Sequence, residues 1–335
     1  MIEEAIRRAV LGESLPRELA CGAMEQVLEG RATAAQIAAL AVALRMKGET
    51  ALEIAGMAEA MRRRVPPLHT RRSPLLDTCG TGGDNAGTFN ISTTVAIVTA
   101  SCGVAVAKHG NRAVSSRTGS ADVLESLGVR IDLTAGSAAR SLDLLGITFL
   151  FAPNYHAALR HAAAARREIG VRTVFNVLGP LTNPAGAARQ LLGVYSDSLV
   201  RTVAEVLREL GSERAWVVHG RDGLDELTVF AKSHVAELDR GEIREFEIDP
   251  EAFDLAHDDR DGVRGGDALT NAGRIRAILA GEKGAGRDIV VLNGGAALVV
   301  AGVAPTLEKG IEQAAAAIDG GRAREKLAEL AGFRG

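Results

Sequence analysis

Apolar side chains recur at helical spacing through the N-terminal part of the 335-residue chain. Thr33 and Gln36 have the spacing of a capping box, and one apolar helical face follows at positions i, i+3, i+4 and i+7. That face consists of Ile37, Leu40, Ala41 and Leu44. Thr50 and Glu53 repeat the capping signature before a second such helix. A proline pair then ends helix formation, so residues 1–66 are predicted to form a helical domain.

Beyond this point, short apolar runs alternate with segments of helical length. The runs predicted as strands are Leu75–Asp77, Val104–Ala107, Ile147–Phe151, Thr173–Phe175, Leu191–Tyr195, Ala215–Val218 and Ile289–Leu292. The predicted helices between them are Ser92–Ser101, Ser120–Leu127, His156–Ile169 and Ser198–Leu210. This alternation predicts an α/β domain over residues 74–335, with a mainly parallel central sheet. The Asp- and Gly-rich segment 249–266 is expected to be an exposed excursion.

Composition narrows the class of protein. The chain has 39 Lys and Arg against 42 Asp and Glu, a net charge of −3, which excludes a strongly basic nucleic-acid binder. Its three cysteines have no CxxC spacing, which argues against a disulfide or zinc framework and fits a reducing cytoplasm. No apolar stretch approaches the roughly 18 residues of a membrane span. We expect a soluble cytoplasmic enzyme.

The first polar segment with chemical potential follows the predicted strand Leu75–Asp77 and reads Gly80-Thr-Gly-Gly-Asp84. Its glycines permit positive φ and close backbone approach, so consecutive N–H groups can face an anion. Asn90, Ser92 and Thr93 open the next helix, where unpaired N–H groups and the helix dipole favour phosphate. The Ser92 hydroxyl can also bind Mg²⁺ held by that phosphate. The pattern is neither a Walker loop nor GxGxxG, and a tight turn with an Asn cap is the alternative.

A second polar segment runs from Lys108 to Ser120 after the strand Val104–Ala107. Lys108 offers a point charge, and the serine hydroxyls offer hydrogen-bond donors to a phosphate. A solvated loop with an incidental basic cluster is the alternative.

A third polar segment follows the strand Ala215–Val218 and carries adjacent carboxylates at Asp225 and Glu226. These side chains repel one another unless a cation lies between them, and hard oxygen ligands suit Mg²⁺. Alone, such a pair is usually a solvated turn. Beside two phosphate-type loops, it predicts a metal site.

The fourth segment places His156 and Arg166 ten residues apart on one predicted helix. Their side chains would project within about 80° of each other around the helix axis. A guanidinium binds a planar carboxylate through two hydrogen bonds. The alternative is a set of surface arginines on an Ala-rich helix. Residues 174–184 are interpreted as a strand and a rigid structural turn.

Together these segments resemble the anthranilate phosphoribosyltransferase family of tryptophan biosynthesis. The resemblance extends to about Gly302, and its most specific motifs are GTGGD with NIST, KHGNRAVSS with GSADVLE, FAP with RTVFNVLGPLTNPA, and HGRDGLDE. It implies an α/β fold similar to the class II nucleoside phosphorylases, hinged to a small helical domain. It also implies a homodimer formed through residues 1–66 with helices from the 155–190 region. The implied activity is Mg²⁺-dependent transfer of 5-phosphoribose from its 1-pyrophosphate to the amine of anthranilate, which releases pyrophosphate.

The resemblance assigns roles by matching motif. The residues implied to bind phosphoribosyl pyrophosphate are Gly80, Gly82, Gly83, Asp84, Thr88, Asn90, Ile91, Ser92, Thr93, Lys108, Ser116 and Ser120. Those implied to contact anthranilate are Gly80, His109, Asn111, His156 and Arg166. The implied metal ligands are Ser92, Asp225 and Glu226, with two Mg²⁺ ions expected in the substrate complex. The implied catalytic residues are Lys108, Asp225 and Glu226. The other expected partners are the two small-molecule substrates, with neither nucleic acid nor a membrane.

The chain departs from the family at Ala157 and Ala164, where proline is frequent. We therefore expect a straighter helix after His156.

Two alternatives were weighed against this assignment. Pyrimidine nucleoside phosphorylases share the fold but carry Lys just after the loop aspartate, whereas Asn85 follows Asp84 here. A non-catalytic paralogue should show eroded loops and a basic groove, whereas these motifs are complete and the net charge is −3.

Overall fold

The computed structural model describes residues 1–113 and 117–335. Its α-helices are α1 (Ile2–Val10), α2 (Arg17–Leu28), α3 (Ala34–Lys47), α4 (Ala51–Arg62), α5 (Ile91–Ser101), α6 (Ser120–Ser126), α7 (Ala135–Leu145), α8 (Ala152–Tyr155), α9 (Arg160–Ile169), α10 (Val174–Leu178), α11 (Leu199–Glu209), α12 (Ala268–Leu279), α13 (Ala285–Val300), α14 (Leu307–Asp319) and α15 (Arg322–Gly332). Its strands are β1 (Leu76–Gly80), β2 (Val106–Gly110), β3 (Ile147–Phe151), β4 (Arg189–Gly193), β5 (Arg214–Gly220), β6 (Ser233–Asp239) and β7 (Glu242–Ile248).

Within the described ranges, seven strands form one sheet in the order β3-β2-β1-β4-β5-β6-β7. The first five strands in that order pair in parallel, and β6 and β7 complete one edge as an antiparallel hairpin. The hairpin turn is made by Arg240 and Gly241, which both have positive φ as a two-residue turn requires. The predicted fold class, N-terminal helices followed by a mainly parallel sheet, is confirmed.

Helices cover both faces of the sheet. Side chains alternate along each strand, so Leu191 and Trp216 enter one apolar core while their neighbours Leu192 and Val217 enter the other. The first core contains α13, whose side chains are almost all buried. Such a helix is apolar all round because it runs through the interior.

The second core joins the N-terminal helices to the sheet. Both predicted capping boxes are present, at Thr33 with Gln36 and at Thr50 with Glu53. Helix α4 packs on α11, and their apolar side chains share one cluster with the inner face of β4 and β5. The Arg62 side chain, at the end of α4, donates hydrogen bonds to the carbonyl oxygens of Leu181 (2.7 Å) and Leu210 (3.3 Å).

Two predicted strands are wrong. Thr173–Phe175 is the start of the short helix α10, because Thr173 and Asn176 form a capping box that the sequence analysis overlooked. Ile289–Leu292 lies inside α13, because a short apolar run does not distinguish a buried strand from a buried helix. The hairpin of β6 and β7 was not predicted.

The predicted helix His156–Ile169 is interrupted. Helix α8 ends before His156, a short 3₁₀ turn spans Ala157–Leu159, and α9 begins only at Arg160. A continuous helix over His156–Ile169 is therefore wrong, and the break at His156 occurs without a proline after it. The segment 249–266 is largely exposed as expected, although Leu255 and Val263 anchor it in the core. No helix in the described part of the chain is long and apolar enough to cross a bilayer.

Candidate active site

The polar segments converge at one edge of the sheet. The parallel strands β1, β2, β4 and β5 end at Gly80, Gly110, Gly193 and Gly220. The three segments predicted to carry chemistry leave these carboxyl ends, where ligands bind in open α/β sheets. All four terminal glycines allow close packing at this edge, and two of them face Asp225. A Cβ at Gly80 would lie 2.5 Å from the Asp225 carboxylate, and a Cβ at Gly193 would clash with the Asp225 carbonyl oxygen.

Three carboxylates gather at this edge. The backbone N–H of Gly82 donates to the Asp225 carboxylate at 2.7 Å, which ties the glycine-rich turn to the third segment. Burial, with the adjacent charge of Asp84, raises the pKa of Asp225 to about 7. Burial, with repulsion from Asp225, also raises the pKa of Glu226 well above its usual range. Such a cluster favours binding of a cation or a proton.

Lys108 lies beneath the cluster with its side chain buried. Its Nζ donates to the carbonyl oxygen of Thr78 at 2.6 Å and to Ser92 Oγ at 3.2 Å. Burial lowers the pKa of Lys108, an effect opposed by the charges of Asp77, Cys79 and Glu226. The Ser92 backbone N–H hydrogen-bonds Glu226. The structure thus brings together Lys108, Ser92 and Glu226, which the sequence analysis had placed in separate motifs.

In the ranges 1–113 and 117–335, no three His, Cys, Asp or Glu side chains are arranged to hold a metal ion by themselves. The oxygen atoms near Ser92, Asp225 and Glu226 suit a hard cation, and oxygens from a bound phosphate would complete its coordination. The raised pKa values of the two carboxyls fit such a cation, because a nearby positive charge would relieve their repulsion.

The residues at the start of α5 differ in which of their groups are available to a ligand. Ile91 and Thr93 point into the protein and are buried, so a phosphate at this helix end could reach their backbone but not their side chains. The N–H of Ile91 is taken by the Phe89 carbonyl at 2.8 Å, whereas that of Thr93 has no acceptor among the described residues. Thr88 forms an isolated bridge to Arg264.

Asn90 does not cap α5 with its side chain. Its amide instead donates to the Thr118 carbonyl at 3.1 Å and accepts from Asn271 at 3.0 Å. Asn90 therefore fixes the second polar segment against the first. Nothing in the sequence signals the contribution of Asn271.

One carboxylate holds together two parts of the second polar segment. Asp122 accepts the backbone N–H groups of Ala113 and Gly119, each at 2.9 Å. Ser120 Oγ donates to the Asn111 carbonyl at 3.2 Å. Ser116, predicted to bind the sugar pyrophosphate, lies outside the described residues.

The residues predicted to contact anthranilate include two neighbouring imidazole rings, of which that of His109 is buried and that of His156 is half-buried. The imidazoles of His109 and His156 have centroids 5.2 Å apart, and His156 Nε2 lies 3.0 Å from the Thr182 carbonyl oxygen. Burial, with His156 and Lys108 nearby, lowers the pKa of His109 to about 3, so this ring is neutral at pH 7. Its Nε2 is buried and has no partner among the described residues. A neutral imidazole with a free nitrogen can receive a hydrogen bond from a ligand.

Arg166 lies on α9 with its guanidinium 5.6 Å from the centre of the Phe175 ring. It forms no ion pair with any described carboxylate, although burial lowers the pKa of its side chain. A partly buried cation without a counter-ion suits an anionic ligand. No hydrogen bond or ring contact joins Arg166 to either histidine in the part of the chain the structure describes.

Three polar residues without a predicted role in binding or catalysis have clear structural roles. Asp77 is fully buried, accepts the His109 N–H at 3.2 Å and binds the Asn183 amide at 2.7 Å. Because Asn183 also donates to the Ala107 carbonyl at 2.8 Å, the turn at 174–184 fixes the ends of β1 and β2. Arg172 donates to the carbonyl oxygen of Gly83. The only sequence signals for these residues are their positions beside the glycine-rich turn and in the RTVFN motif.

Comparison with known proteins gives a consistent result over the whole chain. Residues 72–324 match the model of the glycosyl transferase family a/b domain, and residues 3–65 match that of its helical bundle domain. Among curated relatives, the anthranilate phosphoribosyltransferase of Moorella thermoacetica is 52% identical, covering 98% of this chain and 96% of the relative. The enzyme of Myxococcus xanthus is 53% identical, covering 98% of both chains.

Solved structures agree. The anthranilate phosphoribosyltransferase of Thermus thermophilus superposes with a TM-score of 0.93 at 44% identity, over 98% of both chains. The Saccharomyces cerevisiae enzyme, solved in complex with PRPP and Mg, gives a TM-score of 0.88 at 26% identity, over 98% of this chain and 96% of that one. The resemblance noted in the motifs is confirmed, and the chain belongs to the anthranilate phosphoribosyltransferase family.

Proposed function

We propose that this protein transfers 5-phosphoribose from its 1-pyrophosphate to the amine of anthranilate, the second step of tryptophan synthesis from chorismate. The observation that carries the proposal is the convergence of Lys108, Ser92 and the carboxylates Asp225 and Glu226 at the end of a glycine-rich turn. A pair of neutral imidazoles lies beside them at His109 and His156.

The donor is bound by the first two polar segments. Its pyrophosphate interacts with backbone N–H groups of the turn at 80–84 and of the start of α5, where the Thr93 N–H has no acceptor among the described residues. Thr88, Asn90, Ser116 and Ser120 complete the proposed set. Ile91 contributes only by shaping the start of α5, since its side chain is in the core and its N–H is donated to the Phe89 carbonyl.

Magnesium is held by Ser92, Asp225 and Glu226 together with donor oxygens, and two ions are bound in the full complex. When bound, the metal offsets the charge that develops on the departing pyrophosphate. Lys108 contributes a further positive charge that is already in place before the reaction.

Anthranilate is bound on the other side of the anomeric carbon. The free guanidinium of Arg166 binds the carboxylate, and Asn111 and Gly80 contact the ring from the ends of two strands. His109 accepts a hydrogen bond from the acceptor amine through its unpartnered Nε2.

The reaction breaks the anomeric C–O bond and forms a C–N bond. An aryl amine is nucleophilic while neutral, so no strong base is required before attack. The protein's main contributions are stabilisation of the leaving group and alignment of the two substrates. Pyrophosphate leaves with the electron pair of the broken C–O bond, and the proton that the amine loses as the C–N bond forms passes to solvent.

A homodimer and a cytoplasmic location complete the proposal. Exposed apolar side chains support a partner surface on the N-terminal helices and the segment after α9. They include Val10, Leu11, Met46 and Val171. Met46→Glu should shift the mass measured by light scattering from dimer to monomer, whereas Leu269→Glu, an equally exposed site on α12, should not. The free thiols of Cys21, Cys79 and Cys102 fit a reducing compartment.

The first experiment is to follow the loss of anthranilate fluorescence with purified protein, Mg²⁺ and phosphoribosyl pyrophosphate. We expect rapid loss that EDTA abolishes. Binding of the sugar pyrophosphate without consumption of anthranilate would mean that the acceptor has been wrongly assigned.

A further inference from the structure

Arg172 holds the glycine-rich turn from outside the set of predicted ligand-binding residues. Its guanidinium donates to the carbonyl oxygen of Gly83 and lies 4.6 Å from the centre of the Tyr195 ring. The Tyr195 backbone N–H in turn donates to Thr81 Oγ1 at 3.0 Å. Arginine and tyrosine thus fix the two ends of the turn Thr81–Gly83.

The contact with Gly83 determines which way one peptide unit faces. Gly83 has a φ of +76°, a conformation that glycine adopts readily, and its carbonyl oxygen accepts the hydrogen bond from Arg172. In a planar trans peptide, the carbonyl and the following N–H point in opposite directions. Holding the Gly83 carbonyl therefore directs the N–H of Asp84 away from Arg172. That N–H has no acceptor among the described residues and is free for an anion.

The charge of Arg172 also matters at this position. Its contacts among the described residues are with the Gly83 carbonyl and the Tyr195 ring and not with a carboxylate, and it is only partly exposed. The turn that it contacts carries Asp84, and the Gly82 N–H of the same turn donates to the nearby carboxylate of Asp225. An unneutralised cation beside these acids favours the approach of a polyanion.

Arg172 is itself held in place. Helix α9 ends at Gly170 with a left-handed residue, and the capping box of Thr173 and Asn176 starts α10 immediately afterwards. The buried Thr173 donates its N–H to the Asn176 side chain at 3.0 Å. Only a short link therefore separates two fixed helix ends, which restricts where the guanidinium can reach.

We propose that Arg172 is a positioning residue for the donor: it orients the Gly83–Asp84 peptide so that the turn presents its N–H to the pyrophosphate. This inference rests on the proposed function, because it assumes that the turn binds that group. Arg172 does not contact the reacting atoms, and its effect is transmitted through the backbone of Gly83.

The test compares Arg172→Ala and Arg172→Lys with the matched control Arg167→Ala, an exposed arginine on α9. We expect Arg172→Ala to raise the KM for phosphoribosyl pyrophosphate by about tenfold, the value of one charge-assisted hydrogen bond. The KM for anthranilate should change less than twofold. Arg172→Lys should recover part of the loss, since it keeps the charge but not the contact with the Tyr195 ring.

Calorimetric titration of phosphoribosyl pyrophosphate with Mg²⁺ separates the two hypotheses. If the wild-type protein does not bind it, the proposed function and this inference both fail. If the wild type binds and Arg172→Ala binds equally well, the inference alone is overturned. Equal increases in both KM values, or a similar effect in Arg167→Ala, would also overturn it, because they would indicate general loosening of the site. Thermal midpoints identify a variant that is unfolded, and Arg172→Lys then decides the question.

Discussion

The donor side and the acceptor side of the site differ in how their polar groups are satisfied. On the donor side, Lys108 and Glu226 are buried among other charged groups, and the carboxyl of Asp225 has a pKa of about 7. On the acceptor side, His109 is neutral with an unpartnered nitrogen, and Arg166 has no counter-ion among the described residues. The donor side is incomplete without a cation, whereas the acceptor side is incomplete without an anion.

This difference has a chemical consequence. If Asp225 and Glu226 bind magnesium as proposed, protons and magnesium compete for these carboxylates, and binding on the donor side then depends on pH and on metal concentration. The acceptor side holds His109 with a pKa of about 3, His156, whose pKa is also lowered by burial, and an arginine that stays charged. The imidazoles become charged only well below pH 8, and the guanidinium does not titrate near neutral pH. Anthranilate binding should therefore be insensitive to pH. The following predictions test this contrast.

The largest effect is expected from Lys108→Met, which removes the buried charge and leaves the Thr78 carbonyl without its donor. We expect kcat/KM to fall by about 10³-fold, in the range seen when a group that stabilises a developing anion is lost. Lys309→Met, at an exposed helical position, is the control and should be neutral. A loss below tenfold, in a variant with an unchanged thermal midpoint, would show that Lys108 is structural.

The double variant Asp225→Asn with Glu226→Gln removes both negative charges and keeps the shape of the side chains. We expect kcat to fall by about 10²-fold and the Mg²⁺ concentration for half-maximal rate to rise, because two proposed ligands become poor ones. Kinetics across a magnesium titration provide the measurement. If the titration curve keeps the wild-type midpoint, these carboxylates do not bind the metal.

On the acceptor side, Arg166→Ala should raise the KM for anthranilate by about 30-fold, since a partly buried arginine–carboxylate pair is lost. The KM for phosphoribosyl pyrophosphate should stay within twofold. Arg167→Ala, the exposed neighbour, controls for loosening of α9. If the KM values for both substrates rise equally, Arg166 does not act specifically on the acceptor side.

The smallest effect is a pH dependence of the metal requirement. The carboxyl of Asp225 has a pKa raised to about 7, so it is protonated below that pH and must lose its proton before it binds Mg²⁺. Lowering the pH from 8 to 6 should raise the Mg²⁺ concentration for half-maximal rate by about tenfold. The KM for anthranilate should not change over that interval. In Asp225→Asn, the Mg²⁺ concentration for half-maximal rate should depend less on pH. If the KM for anthranilate changes with pH as much as the Mg²⁺ concentration for half-maximal rate, the two sides of the site do not differ in pH dependence.

Much of the donor side could be predicted from the sequence. Each of its groups lies in a short segment directly after a strand, so the topology of a parallel sheet brings Gly82, Ser92 and Asp225 to one edge. The contacts that lock the site could not be predicted in this way. Asn271 lies 181 residues from its partner Asn90, and Arg172 contacts Gly83 across the site. Such pairings depend on tertiary packing, which a local pattern does not encode.

The errors in the predicted secondary structure also have local causes. The run at 289–292 is apolar on every side because α13 is buried all round, and periodicity carries no information in that case. The hairpin of β6 and β7 was missed because its turn, Arg240-Gly241, lacks the Asn-Gly or Asp-Gly pair that marks such turns. The break at His156 arises where the chain leaves α8 for the separate helix α9, and no proline marks it.

The shared core of α4 and α11 has a consequence for folding during synthesis on the ribosome. The N-terminal helices emerge first, yet the apolar side of α4 is covered by α11 and by strands that are synthesised more than a hundred residues later. Contacts between segments so distant in sequence form late and slow folding. During synthesis, the first four helices therefore carry an uncovered apolar surface until residue 209 has left the exit tunnel. This makes the nascent chain, rather than the finished enzyme, the form that most needs a chaperone.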